Sequence, residues 1–196
     1  MGTIRISPSI LAAPHDTQEE IDKAARIAEE ADAELLHIDV MDGHFVKQTT
    51  IWNDPAAIRA IKTHLPLDVH IMIQNPDERY MDFVHAGAKR VAYHIEAAKH
   101  PEIILNTLHK WDVQAGLVIN PETDIQELLP YLHLIDYVLV MSVHPGKSGQ
   151  AFIPQTLQKV RYIRAHYPDL DITIDGGIDK HNAPQSVKAG VTTLVA

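Results

Sequence analysis

The feature that most constrains this chain is a strict alternation. Short runs rich in β-branched and aliphatic residues recur near 4–10, 34–40, 67–73, 90–95, 113–119, 135–143, 171–174 and 192–195, and longer amphipathic runs separate them. In the first amphipathic run Ile21, Ala24, Ala25, Ala28 and Ala31 fall on one face, and in a later one Ile153, Leu157, Val160 and Ile163 do the same. Those intervals match the helical period of about 3.6 residues. Asp16-Thr17 and Asn75-Pro76 are helix-start signals, and Asn120-Pro121 punctuates the end of a strand.

A β-then-α order repeated along the chain implies a parallel sheet. Eight β-runs and seven helical runs in 196 residues favour an α/β fold of the closed (β/α)8 kind, a TIM barrel, over an open doubly wound sheet. The sequence ends at Ala196, inside the expected eighth strand. The expectation is therefore a single barrel domain over 1–196 without its eighth helix.

Composition narrows the function classes. The 45% hydrophobic content is that of a chain with a packed core. A net charge of −9 argues against nucleic-acid and membrane-surface partners, which attract clustered Lys and Arg. With no cysteine, the chain has no disulfide framework, thiolate metal site or cysteine nucleophile. Met1 leads into Gly-Thr-Ile-Arg-Ile with no long apolar stretch, so no signal peptide is expected. No run approaches the ~18 apolar residues of a membrane span, and a cytoplasmic location is the expectation.

The polar residues inside the strand runs carry the chemistry. In "HIDVMDGHFV" (37–46), His37, Asp39 and Met41 alternate, so they share one strand face. His70 and Met72 repeat the pattern in "LDVHIMI" (67–73), and Asp175 closes the seventh run in "ITIDGGI". Barrel enzymes build their sites at the C-terminal ends of the strands. There His37, Asp39, His70 and Asp175 could converge as two imidazoles and two carboxylates, a donor set suited to Zn²⁺, Fe²⁺, Mn²⁺ or Co²⁺ rather than Ca²⁺. The alternative is that each is a hydrogen-bonded structural residue.

His94 and Glu96 form a competing pair at the end of the fourth run, with a role behind the metal ligands, at the substrate's edge, or purely structural. Asp42 reads as a turn residue before Gly43, and His44 falls in the loop that follows. His64, His85, His100, His109, His133 and His166 read as partnerless surface residues. Two glycine-rich stretches suit an anion: Pro145-Gly146-Lys147-Ser148-Gly149 and Gly176-Gly177. Their backbone N–H groups can form a nest, and ordinary turn glycines are the competing reading. No G-x-G-x-x-G dinucleotide fingerprint is present, and no nucleotide cofactor is expected.

Taken together, "SPSIL" (7–11), "HIDVMDGHFV", "DVHIM" (68–72), "MSVHPG" (141–146), "GQAF" (149–152) and "DGGI" (175–178) resemble the ribulose-phosphate 3-epimerase family, in the family's order, from about residue 4 onward. The resemblance implies a metal-dependent barrel that interconverts D-ribulose 5-phosphate and D-xylulose 5-phosphate, works as a homo-oligomer and holds one divalent ion. It puts metal ligands on His37, Asp39, His70 and Asp175, and the acid/base pair on Asp39 and Asp175. It puts substrate contacts on Ser9, Met41 and Met72, and phosphate-side contacts on Gly146, Gly149, Gly176 and Gly177, with Lys147 and Ser148 in the same loop.

The chain departs from the family pattern at Lys47-Gln48, at Trp52-Asn53-Asp54 and at Lys147-Ser148, and it ends just before a usual Gly-Ser. Lys47, Gln48 and Trp52 motivate an alternative substrate such as D-allulose 6-phosphate. The departures and the missing end motivate a second alternative, a non-catalytic sugar-phosphate-binding descendant.

Overall fold

A computed structural model describes residues 3–15 and 17–196. Eight strands form one parallel sheet in the order β1-β8-β7-β6-β5-β4-β3-β2. They are β1 (Arg5–Ser7), β2 (Leu36–Met41), β3 (Leu67–Met72), β4 (Ala88–His94), β5 (Gln114–Ile119), β6 (Tyr137–Met141), β7 (Asp171–Asp175) and β8 (Thr193–Val195). The remaining seam, β1 to β2, is joined by a single parallel bridge between Ser9 and His37 and by His37 N–H donating to the Pro8 carbonyl at 2.9 Å. The sheet is thus a nearly closed barrel, as the alternation predicts. Strand β1 is shorter than the run suggests, because Pro8 has no N–H to donate and Ile10–Ala12 turns into a 3-10 helix.

The described residues include six α-helices rather than the expected seven: α1 (Gln18–Glu30), α2 (Pro55–Arg59), α3 (Pro76–His85), α4 (Pro101–Lys110), α5 (Leu157–His166) and α6 (Ala183–Ala189). Between β5 and β6 the chain makes two 3-10 helices instead, Ile125–Glu127 and Leu129–Tyr131. Pro130 explains the difference, since it lacks a donor and crowds the preceding turn. Helix α1 starts at Thr17 with a reciprocal capping box: the Thr17 hydroxyl accepts from Glu20 N–H, and Thr17 N–H donates to the Glu20 carboxylate. The neighbouring start signal Asp16 lies outside the described residues. At α3 the start comes from Pro76 at the first turn, while Asn75 makes no side-chain cap.

Period two divides every strand between two environments. Outward residues such as Ile38, Val40, Val69, Ile71, Val91, Val138, Val140, Ile172 and Ile174 join the main core under the helices. Inward residues fill the barrel. On the β5–β6 side they are apolar: Val118, Leu139 and Met141, with Tyr137 below. On the β2–β4 side they are His37, Asp39, Asp68, His70, Arg90 and His94, all buried. Register stacks these inward groups in rows, pairing His37 with Asp68, Asp39 with His70 and Met41 with Met72.

Candidate active site

The upper end of the barrel opens into a cavity of about 220 Å³. Ser9, Asp39, Met41, Met72, Gly146, Lys147, Ser148, Gly149, Asp175, Gly176 and Gly177 all line it. His37 and His70 lie fully buried beneath its floor. Four ligand atoms, one each from His37, Asp39, His70 and Asp175, lie within 4.8 Å of one another. His37 Nε2 is 3.5 Å from Asp39 Oδ1 and 3.8 Å from Asp175 Oδ2, and His70 Nδ1 is 3.2 and 3.5 Å from the same two atoms.

These residues fit a divalent ion. His37 Nε2 is buried without a hydrogen-bond partner among the described residues, and it faces a gap bounded by two carboxylates and a second imidazole. Two nitrogens and two carboxylate oxygens suit a first-row metal. The electrostatics agree. Burial disfavours a charged His37, yet the neighbouring Asp39 carboxylate and the hydrogen bond to Asp68 outweigh it and raise the imidazole well above its usual range. For His70 burial acts in the same downward direction, and hydrogen bonds to Asp175 and Asp39 reverse it. Asp39 is held low against its own burial by His37 and His70. The cluster is a cavity for positive charge, filled by protons or by a cation.

Each imidazole is gripped from behind. His37 Nδ1 is 3.0 Å from Asp68 Oδ2, and Asp68 also accepts from the Ser7 hydroxyl at 3.2 Å. Arg90 Nε lies 3.7 Å from Asp68, and its guanidinium covers the Tyr137 ring at 3.9 Å. Burial alone would raise Asp68, but Arg90 and the hydrogen bonds from His37 and Ser7 hold it at about 2. His70 Nε2 is 2.9 Å from His94 Nε2, and His94 Nδ1 is 3.3 Å from Glu96. Burial pushes His94 down to about 4. The pair His94–Glu96 therefore stands behind the metal-binding set rather than in it.

Ser9 follows β1 and caps the 3-10 helix that it begins. Its hydroxyl donates to Asp39 Oδ2 at 2.7 Å and accepts from Leu11 N–H. Met41, Met72 and Met141 form an apolar wall over the donors. At the far side, Gly176 has φ +115 and a Cβ there would meet Val143 at 2.4 Å. Gly177 has φ +64 and a Cβ would meet the Gln150 carbonyl at 2.6 Å. Only glycine lets this turn pass so close to the 143–152 segment. The Gln150 amide ties the His144–Gln150 loop to itself by donating to the carbonyls of His144 and Lys147.

Several expectations are sharpened. Asp42 is a turn residue, accepting from the N–H groups of His44, Phe45 and Gln74. Trp52 is fully buried, Arg79 binds Asn53 and Asp54 caps α2, while Lys47 and Gln48 are absent from the cavity lining. The outlying histidines are exposed, but His64, His109 and His166 are not partnerless: the first two pair with Glu29 at 3.1 Å and Asp136 at 3.0 Å, and His166 Nδ1 lies 2.8 Å from the Tyr162 carbonyl.

Sequence reading missed Asp68, Arg90, Met141 and the direct contact of His94 with His70. Asp68 is two before His70 and Arg90 four before His94, so period two was the available signal. His144 at the cavity rim, paired with Glu122 at 2.5 Å, stood unremarked inside the "MSVHPG" stretch.

A profile described as the Ribulose-phosphate 3 epimerase family matches residues 5–196. The chain belongs to the ribulose-phosphate 3-epimerase family. Curated relatives agree over nearly its whole length. The ribulose-phosphate 3-epimerase of Chlamydia muridarum is 43% identical, with 98% of this chain and 86% of that protein covered. The ribulose-phosphate 3-epimerase of Bacillus subtilis is 38% identical, with 98% and 90% covered. This family member is thus an enzyme, an epimerase.

Among solved structures, a tryptophan synthase alpha-subunit variant from Pyrococcus furiosus superposes with a TM-score of 0.71 at 10% identity, covering 100% of this chain and 88% of that one. A phosphoribosyl anthranilate isomerase from Thermococcus kodakaraensis gives 0.64 at 14%, with 99% and 88% covered. Those two likenesses speak to the fold alone. Among the described residues no helix is long and apolar enough to cross a membrane.

Proposed function

We propose that this single barrel domain interconverts D-ribulose 5-phosphate and D-xylulose 5-phosphate by inverting C3, with Asp39 and Asp175 as the acid/base pair. The observation that carries the reading is the convergence of these two carboxylates. They come from strands β2 and β7, with β1 and β8 between them, onto one cavity floor beside two buried imidazoles.

Inversion requires removing the proton beside the C2 carbonyl and returning one to the opposite face. One aspartate takes the proton while the other, protonated, supplies its replacement, and the roles exchange in reverse. Ser9 donates to Asp39 Oδ2 and so orients that carboxylate toward the substrate. His37, Asp39, His70 and Asp175 would hold a divalent ion such as Zn²⁺, Fe²⁺, Mn²⁺ or Co²⁺. When bound, it would supply Lewis-acid stabilisation of the negative charge that develops on the substrate oxygens. Met41, Met72 and Met141 keep water from the enediolate by covering it with polarizable apolar surface. Gly146, Ser148, Gly149, Gly176 and Gly177 offer backbone N–H groups to the phosphate, and Lys147 a cation at the same rim.

The departures at Lys47, Gln48 and Trp52 do not favour another sugar, because these residues lie outside the cavity lining, whereas Lys147 and Ser148 line it on the phosphate side. The test is exchange of the substrate C3 proton with solvent deuterium in metal-loaded protein, with D-allulose 6-phosphate as the comparison substrate. Faster turnover of D-ribulose 5-phosphate is expected. No exchange with either ketose phosphate would overturn the reading.

A further inference from the structure

We infer that Glu96 and His94 form a positioning relay that decides which nitrogen of His70 carries its proton and so keeps Nδ1 available as a ligand atom. The inference rests on the reading of His70 as a metal ligand. It begins with a geometric fact: His70 Nε2 and His94 Nε2 face each other at 2.9 Å, both rings fully buried. Only one proton fits between two such nitrogens, so one ring donates and the other accepts. Nothing in the pair itself decides which.

Glu96 decides it. Its Oε1 accepts from Asn120 N–H at 2.9 Å and from the Thr123 hydroxyl at 2.6 Å, which leaves Oε2 facing His94 Nδ1 at 3.3 Å. A carboxylate only accepts, so His94 Nδ1 must carry a proton. Neutral His94 then offers a lone pair at Nε2, and His70 must donate from its own Nε2. The remaining His70 nitrogen, Nδ1, faces Asp39 and Asp175, 3.2 and 3.5 Å away, where the ligand set converges; a proton it donates to those carboxylates in the metal-free protein can leave when a cation takes its place, because Nε2 keeps the other. Phe45 packs on the His94 ring with centroids 4.6 Å apart and limits its rotation. A tautomer set two residues away is thereby passed through two rings to the ligand atom. Partners behind a ligating histidine commonly fix its orientation in this way.

The isosteric change Glu96→Gln makes the relay testable. The Asn120 N–H is a fixed donor and claims the amide oxygen. The amide NH₂ therefore faces His94 Nδ1, which must accept, and the His94 proton moves to Nε2 against the His70 proton. Histidine ¹⁵N spectra of the wild-type protein are expected to show His94 protonated on Nδ1, both metal-free and with Zn²⁺. In Glu96→Gln that tautomer is expected to reverse, and the dissociation constant for Zn²⁺ to rise about 10–100-fold. The metal-free thermal midpoint is expected to stay near that of wild type. Glu96→Asp keeps an acceptor-only group and is expected to retain the wild-type tautomer and most of the affinity.

A wild-type His94 protonated on Nε2 overturns the relay and needs no variant to fold. Equal Zn²⁺ affinity in Glu96→Gln also overturns it. A wild-type protein that takes up no Zn²⁺ overturns the ligand reading instead, and the metal-free spectrum still judges the relay by itself.

Discussion

The barrel interior has two halves that are equally dry and chemically opposite. On the β5–β6 side Val118, Leu139 and Met141 fill the space with hydrocarbon and sulfur. On the β2–β4 side the same depth holds His37, Asp68, His70, Arg90 and His94, none more than 2% exposed. An unpaired buried charge is costly, so the second half exists only because its members answer one another across the sheet register. Asp68 answers His37, Arg90 answers Asp68, and Glu96 answers His94. The difference teaches that burial here does not separate core from site. The apolar half holds the barrel together, and the polar half uses that rigidity to hold the candidate ligand atoms in place.

The sharpest way to break the comparison is at the rim where the two halves meet. Asp175 is a register neighbour of Met141 on one side and a member of the donor cluster on the other. Asp175→Asn is expected to lower turnover by about 10²–10⁴-fold while the fold survives, since it removes the proposed proton carrier from a partly exposed position. Circular dichroism beside the deuterium-exchange assay checks both parts, and near-normal exchange would end the two-carboxylate scheme.

Leu139→Ala, in the apolar half, is expected to reverse the pattern. It should cost about 2–5 kcal/mol in denaturant unfolding through lost burial and a residual cavity. Zn²⁺ affinity of the folded protein should barely change. A large loss of affinity would show that the halves are not separable.

Asp68→Asn enters the polar half from below. It weakens the grip on His37 Nδ1 and takes the nearer counter-charge from buried Arg90. A 10–100-fold weaker Zn²⁺ affinity is expected by calorimetric titration, together with reduced stability.

The smallest effect is in acid. Asp68 sits at about 2, below its ordinary 3.8. A carboxylate with a lowered folded-state value adds stability that is complete above its unfolded value and is lost as pH falls through the folded one. Metal-free protein should therefore lose part of its stability between pH about 4 and about 2. Asp68→Asn should flatten that limb of an acid unfolding profile.

Much of this was legible in one dimension. Strict alternation specified the parallel barrel, because a strand feeding a helix must return parallel. Period two placed His37, Asp39 and Met41 on one face and His70 and Met72 on another. The seventh helix misled because the 121–134 segment has helix-like apolar spacing, and only Pro130 speaks against it. Trp52 looked like a change at the site and proved to be core, since a loop residue gives no sign of which way it packs.

By itself, then, the sequence determined the repeating β/α architecture, the faces of each strand and the residue types of a candidate metal-binding set, because all three follow from local periodicity and side-chain chemistry. Only the tertiary structure decided that Asp39 meets His70 and that His94 meets His70 nitrogen to nitrogen. It alone showed Asp68 and Arg90 supporting His37 from beneath. Those contacts depend on interstrand register and barrel closure, which join residues 22 to 31 positions apart that no local pattern connects.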